Sequence, residues 1–293
     1  MPATTLQPTG SSNGLLLSSL GRVGFGSMGL TGSGCWGPPH NKEDLVHLLQ
    51  MLPGVGVNFI DTADSYGPHV SEDLICEALH PYSGITVATK GGLVRTGPNK
   101  WHPLGRPEYL RQQILLSCRR LRIDRLHLWQ LHRIDPLVPR DEQFGALKCF
   151  LDEGLVEHIG LCQVSEDELA DARKILPISS VQNRYNILDR ESEAILKVCE
   201  DNGMVFIAWS PLAAKAVVSE PLLAEIAAAR GATPAQVALA WLLRRSRSML
   251  PIPGTGSLRH LRENVKAQEI DLTDQEFELL NAGASLGLLS RGS

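Results

Sequence analysis

Short apolar runs rich in β-branched and aromatic residues recur along the chain, and each is followed by a stretch whose hydrophobic positions have helical spacing. The runs are RVGFG (22–26), VNFID (57–61), ITVATK (85–90), LHLWQLH (126–132), VEHIGLC (156–162), SSVQN (179–183), MVFIAWS (204–210) and MLPIPG (249–254). Helix-like segments lie at 41–52, 71–80, 107–122, 141–153, 165–176, 189–202, 219–245 in two pieces, and 257–267. Ser71 with Glu72 and Asp73, Ser165 followed by Glu168, and Thr233 ahead of Pro234 read as helix starts. Side-chain oxygens at such positions accept from the unpaired N–H groups of a first turn.

Strands that are apolar along most of their length are buried on both faces, as in a parallel sheet covered by helices. Eight such units predict an α/β protein closed into a (β/α)8 TIM barrel. An open, doubly wound sheet is the alternative. Gly24-Phe25-Gly26-Ser27-Met28-Gly29 has the glycine spacing of its dinucleotide-binding turn, but the glycines begin inside the strand and a Gly/Pro/Trp loop follows. The length of 293 residues suits one barrel, so the chain reads as a single domain over 1–293. Residues 1–13 are expected to be disordered, and Asn13-Gly14 is a turn cue for an outer hairpin at 14–21. The segment 91–106 reads as a long loop, and the chain as ending soon after the helix at 257–267.

Composition narrows the function classes. Hydrophobic residues make up 43% and charged residues 20%, enough apolar surface for a large core. The net charge is −4 with lysines and arginines scattered, which argues against nucleic acid, since phosphate binding needs clustered cations. The apolar stretch 14–20 is too short for a membrane span and lacks the preceding basic residues of a signal peptide. Six cysteines with no Cys-x-x-Cys pair fit reduced thiols in a cytoplasmic protein, either monomeric or homo-oligomeric.

Four polar residues fall at or just after successive strand ends: Asp61, Tyr66, Lys90 and His132. In a barrel these ends share one mouth, where the βα loops build the active site. A tyrosine with a reference pKa of about 10 is a poor acid, but a close cation lowers that value by about 1–3 pH units. Lys90 is the expected cation, Asp61 its counter-charge, and His132 a donor to a carbonyl oxygen or a partner in proton transfer. Each residue alone has a plainer reading as a cap, ion pair or core residue; their joint occurrence at successive strand ends favours chemistry. No metal is expected at the mouth, because His-x-His and His-Glu-x-x-His pairs are missing and protonated lysine is a poor ligand.

From about Arg22 to Leu280 the sequence resembles the aldo-keto reductase family. VNFIDTADSYGPHVSEDLICEAL (57–79) is similar to the strand-two signature, and VATKGG, LWQLHR, GLVEHIGL, SVQNRYNILDR, VFIAWSPLA, TPAQVALAWLLRR and IPGTGSLRHLREN follow in the family's order. The resemblance implies hydride transfer between NADPH, less so NADH, and a small carbonyl or alcohol substrate. It makes Tyr66 the general acid tuned by Lys90 and Asp61, with His132 positioning the carbonyl.

Cofactor contacts are implied at Cys162, Gln163, Gln182, Trp209, Ser210, Pro211 and Leu212. They are implied also at Gly254, Thr255, Gly256, Ser257, His260, Arg262, Glu263 and Asn264 in the segment that resembles the site for the adenosine 2′-phosphate. Two departures stand out: Cys162-Gln163 replaces the family's Ser-Asn, and Trp209 replaces the usual stacking Tyr. His260 and Gly254 fall where one branch carries Arg and Lys; Arg259 and Arg262 are available to compensate. The WGPPH segment (36–40) is similar to that of pyridoxal-reductase-like members. Trp36 and Trp101 are the expected substrate contacts, since loops carry specificity. A natural-product ketone is a further substrate class, and a cofactor-binding regulatory subunit like those of potassium channels is the alternative function.

Overall fold

The computed structural model describes residues 20–285. The anticipated disorder at 1–13 and most of the hairpin at 14–21 lie outside them. Eight parallel strands form one sheet: β1 (Phe25–Gly26), β2 (Phe59–Asp61), β3 (Thr86–Gly91), β6 (Leu126–Leu131), β7 (Val156–Cys162), β8 (Ser180–Arg184), β9 (Val205–Trp209) and β10 (Met249–Pro251). They pair in that order. The Gly24 N–H donates to the Pro251 carbonyl at 2.9 Å and brings the two edges together, so the expected (β/α)8 barrel forms.

Helices α1 (Lys42–Gln50), α2 (Val70–Leu79), α3 (Pro107–Leu121), α4 (Arg140–Asp152), α5 (Glu166–Arg173), α6 (Glu193–Asp201), α7 (Pro221–Arg230), α8 (Pro234–Arg245) and α9 (Leu258–Lys266) lie between or after the strands. Capping boxes start α5 at Ser165/Glu168 and α8 at Thr233/Gln236. Ser71 does not start its helix: α2 begins one residue earlier, and the buried Ser71 hydroxyl donates to Ser27 Oγ and accepts from Thr62 Oγ1. A tertiary partner here outcompetes the local cap.

Two further expectations are corrected. The supposed loop 91–106 carries an antiparallel hairpin, β4 (Leu93–Gly97) with β5 (Lys100–Pro103). The chain also does not stop after α9: α10 (Asp274–Ser285) follows, and Trp241 of α8 donates its indole N–H to Asn281 at 3.0 Å.

Two apolar layers hold the barrel. The small inner cluster is Phe59, Ala88, Leu128, Val205, Ile207, Leu250 and Ile252, and the outer cluster joins strands to helices. Alternate residues of a strand share a face. The positions two beyond Phe59, Ala88 and Leu128 on that face are Asp61, Lys90 and Gln130. The barrel interior thus changes from apolar to polar toward its C-terminal mouth.

The Gly24/Gly26 pair belongs to this closure. A Cβ on Gly26 would stand 2.6 Å from the Ile252 carbonyl oxygen, and one on Gly254 2.6 Å from that of Gly26, whereas Gly29 has open space. The spacing that resembled a dinucleotide turn therefore marks backbones in close approach. Gly26→Ala is expected to destabilise the fold by about 1–3 kcal/mol, as overpacking does, while Gly29→Ala stays within about 0.5 kcal/mol. Urea unfolding of the two variants checks the contrast.

Candidate active site

Lys90, near the end of β3, is fully buried, and a buried ammonium needs partners for its charge and its three N–H groups. Its Nζ donates to Asp61 Oδ2 at 2.5 Å, to the Thr62 carbonyl at 2.9 Å and to Tyr66 Oη at 3.2 Å. Burial alone would lower the Lys90 pKa; the Asp61 charge reverses this and leaves it raised above the ordinary lysine value. The other Asp61 oxygen accepts from Gln182 Nε2 at 2.7 Å and Gln130 Nε2 at 3.1 Å. One carboxylate thus ties together residues from β2, β3, β6 and β8.

Tyr66 sits in the loop after β2, and its ring meets His132 edge-on, with centroids 5.9 Å apart. The four predicted residues therefore do meet. The expectation of a lowered phenol pKa is corrected: burial, the largest influence, pushes Tyr66 up to about 12, against the pull of Lys90. His132 is held well below the ordinary imidazole value by burial first, then by Lys90, Arg133 and Arg95. Its Nδ1 lies 3.3 Å from Ser65 Oγ. The tautomer in which Ser65 donates to Nδ1 carries its proton on Nε2.

Trp101, carried on β5, lies edge-on to both Tyr66 and His132, each at 6.4 Å between centroids. Arg95 of β4 holds it there, its guanidinium 3.5 Å from the indole centroid. Arg95 also donates to the carbonyls of Gly34, Cys35, Ser65, Gly97 and Lys100, stapling three loops together. Trp36, more than a third exposed, is farther out: it bridges to Gly67 and lies 5.7 Å from the same guanidinium.

The other predicted residues follow β7, β8, β9 and β10. Buried Cys162 accepts from Arg133 Nη1 at 3.3 Å, and burial raises its thiol pKa. Gln163, in a left-handed backbone conformation, accepts the Trp209 indole N–H on Oε1 at 2.9 Å. Ser210 is also left-handed, its carbonyl accepting from Asn186 Nδ2 at 3.0 Å, and Pro211 and Leu212 lead into a 3₁₀ segment. Gly254, Thr255 and Gly256 approach α9, which Ser257 caps by accepting from the His260 N–H. Arg259 pairs with Glu263 at 2.7 Å and contacts the His260 ring, Arg262 is exposed, and Asn264 is buried.

Sequence reasoning missed Gln130, Ser65, Arg95, Arg133 and Asn186. Gln130 had a signal, since it stands two residues before His132 on the same strand face. Arg95 had none, because its partners come from loops distant in sequence.

Residues 22–284 match the Aldo/keto reductase family. The chain is 49% identical over 261 residues to an uncharacterized oxidoreductase of Schizosaccharomyces pombe, covering 89% of this chain and 85% of that protein. It is 39% identical over 280 residues to pyridoxine 4-dehydrogenase of Escherichia coli, covering 92% and 98%. A thermostable aldo-keto reductase solved in complex with the inhibitor epalrestat superposes with a TM-score of 0.80 at 32% identity, covering 90% of this chain and 95% of that one.

A neutral buried imidazole implies acid sensitivity. Because the folded His132 pKa is depressed, its contribution is present above the unfolded value of about 6.5 and lost as pH falls toward the folded one. Below pH 6.5 the wild type should lose up to about 1.4 kcal/mol per pH unit more than His132→Gln. Urea unfolding at neutral and mildly acidic pH measures the difference.

Proposed function

The chain belongs to the aldo/keto reductase family and is an oxidoreductase acting on carbonyl and alcohol groups; from that premise we propose that Tyr66 is the proton donor for carbonyl reduction, with NADPH as hydride source. The observation that carries the reading is the Lys90 ammonium bridging the Asp61 carboxylate and the Tyr66 phenol beside a neutral His132. The cofactor residues fit a dinucleotide. Trp209 lies at the rim with its indole fixed by Gln163, and the N-terminus of α9, flanked by exposed Arg259 and Arg262, suits a phosphate. When bound, the reduced nicotinamide supplies the hydride.

The protein's own residues supply the rest. The raised Tyr66 pKa keeps the phenol protonated at neutral pH, so Oη has a proton to give to a developing alkoxide. Lys90 stabilises the phenolate left behind; held cationic by Asp61, it has no tendency to compete as the acid. His132 Nε2–H donates to the same substrate oxygen and orients it. Trp101 forms an aromatic wall against Tyr66 and His132, which suits a planar aromatic aldehyde; with the pyridoxine 4-dehydrogenase relative, this makes pyridoxal the first substrate to try.

With NADPH and a panel of pyridoxal, aldehydes and ketones, Tyr66→Phe should lower kcat by about 10²–10⁴-fold with little change in NADPH affinity. An unchanged kcat would remove Tyr66 from the chemistry. Arg262→Ala should raise the KM for NADPH by about tenfold, the scale of one charge-assisted hydrogen bond, and leave that for NADH within twofold. Equal effects on both cofactors would locate the 2′-phosphate elsewhere.

A further inference from the structure

At the opposite end of the barrel from the catalytic cluster, β6 and β7 begin with a second group of donor side chains. His127 is the second residue of β6, and Glu157 and His158 the second and third of β7. Four or five residues of strand separate them from Cys162 and His132, about 13–16 Å at the usual rise. None of them takes part in the proposed reduction.

The pairing of Leu126 with Val156 and of Leu128 with His158 brings these side chains together across the strand boundary. One ligand atom from each of His127, Glu157 and His158 lies within 4.8 Å of the other two. The imidazole rings are 5.1 Å apart at centroid, and Glu157 Oε2 is 2.6 Å from His127 Nδ1. His127 Nε2 is buried with no hydrogen-bond partner among the described residues, an orphaned donor or acceptor that nothing in the fold accounts for. His127 and Glu157 nonetheless keep about a third of their side-chain surface exposed, which leaves a path of entry.

We propose that His127, Glu157 and His158 form a binding site for a divalent cation of the zinc class, with water completing the coordination. Two imidazoles and one carboxylate match the ligand chemistry of zinc and its borderline neighbours, whereas calcium and magnesium require all-oxygen shells. Zinc ligands stand about 3.3–3.5 Å from one another in tetrahedral geometry, so Glu157 Oε2 and His127 Nδ1, now 2.6 Å apart, separate on binding while wider spacings within the 4.8 Å group contract. Two contacts compete: Arg125 pairs with Glu157 Oε1, and Ser179 Oγ lies 3.2 Å from His158 Nδ1. Neither holds Glu157 Oε2, which is left for the cation once it parts from His127.

The site stands apart from the reductase reading and is tested separately. Isothermal titration of the full chain with zinc chloride should give one strong site per chain, weakened at least tenfold in the His127→Gln/His158→Gln double variant and also in Glu157→Gln. Saturating zinc should raise the Tm of the wild type by several degrees and leave the double variant unmoved. Cobalt, used as a spectroscopic stand-in, should show visible d–d bands without a thiolate charge-transfer band, and Cys149→Ser should not change them. The proposal is overturned by absence of zinc binding to the wild type, by affinity within twofold in a well-folded double variant, or by a thiolate band that assigns the metal to cysteine. Turnover is expected to be unchanged in the double variant.

Discussion

A charged ammonium sealed inside a barrel is the constraint from which the rest of this site follows. Removing an ion from water costs several kcal/mol in a real protein, and losing one partner of a buried pair typically costs about 3–5 kcal/mol. Lys90 therefore fixes Asp61, and Asp61, with its second oxygen shared by Gln130 and Gln182, fixes the register of β2, β3, β6 and β8 at the mouth. The ammonium's remaining N–H groups hold the Thr62 carbonyl and the Tyr66 phenol, so the loop after β2 is anchored by the same charge. Such a pair contributes less to net stability than to geometry, since its attraction is largely offset by desolvation.

Low dielectric then separates the protonation states. Burial pushes Tyr66 up and His132 down, leaving both neutral, while Lys90 stays cationic because Asp61 stands against it. A protonated phenol, a neutral imidazole and a fixed cation thus occupy one small volume. The sign of each shift follows from which form of each group carries charge.

The two sides of the mouth are organised differently. On the side of β4 and β5, Arg95 binds loop carbonyls and carries Trp101 to the rings of Tyr66 and His132. On the other side, Trp209 donates to Gln163, and Cys162 accepts from Arg133. Trp209 and Gln163 therefore form a pair, each supplying the other's hydrogen-bond partner.

The sequence by itself determined the number and order of strands, the barrel and the meeting of Asp61, Tyr66, Lys90 and His132. Period-two and period-3.6 patterns are local properties, and parallel closure sends every strand end to the same mouth. The Gln130 position was also written in that alternation. Tertiary structure alone decided the phenol's raised pKa, the engagement of Ser71 with Ser27, the hairpin over 93–103 and the role of Arg95. Each depends on how completely distant segments exclude water or satisfy one another's polar groups, and a local pattern carries no record of those neighbours.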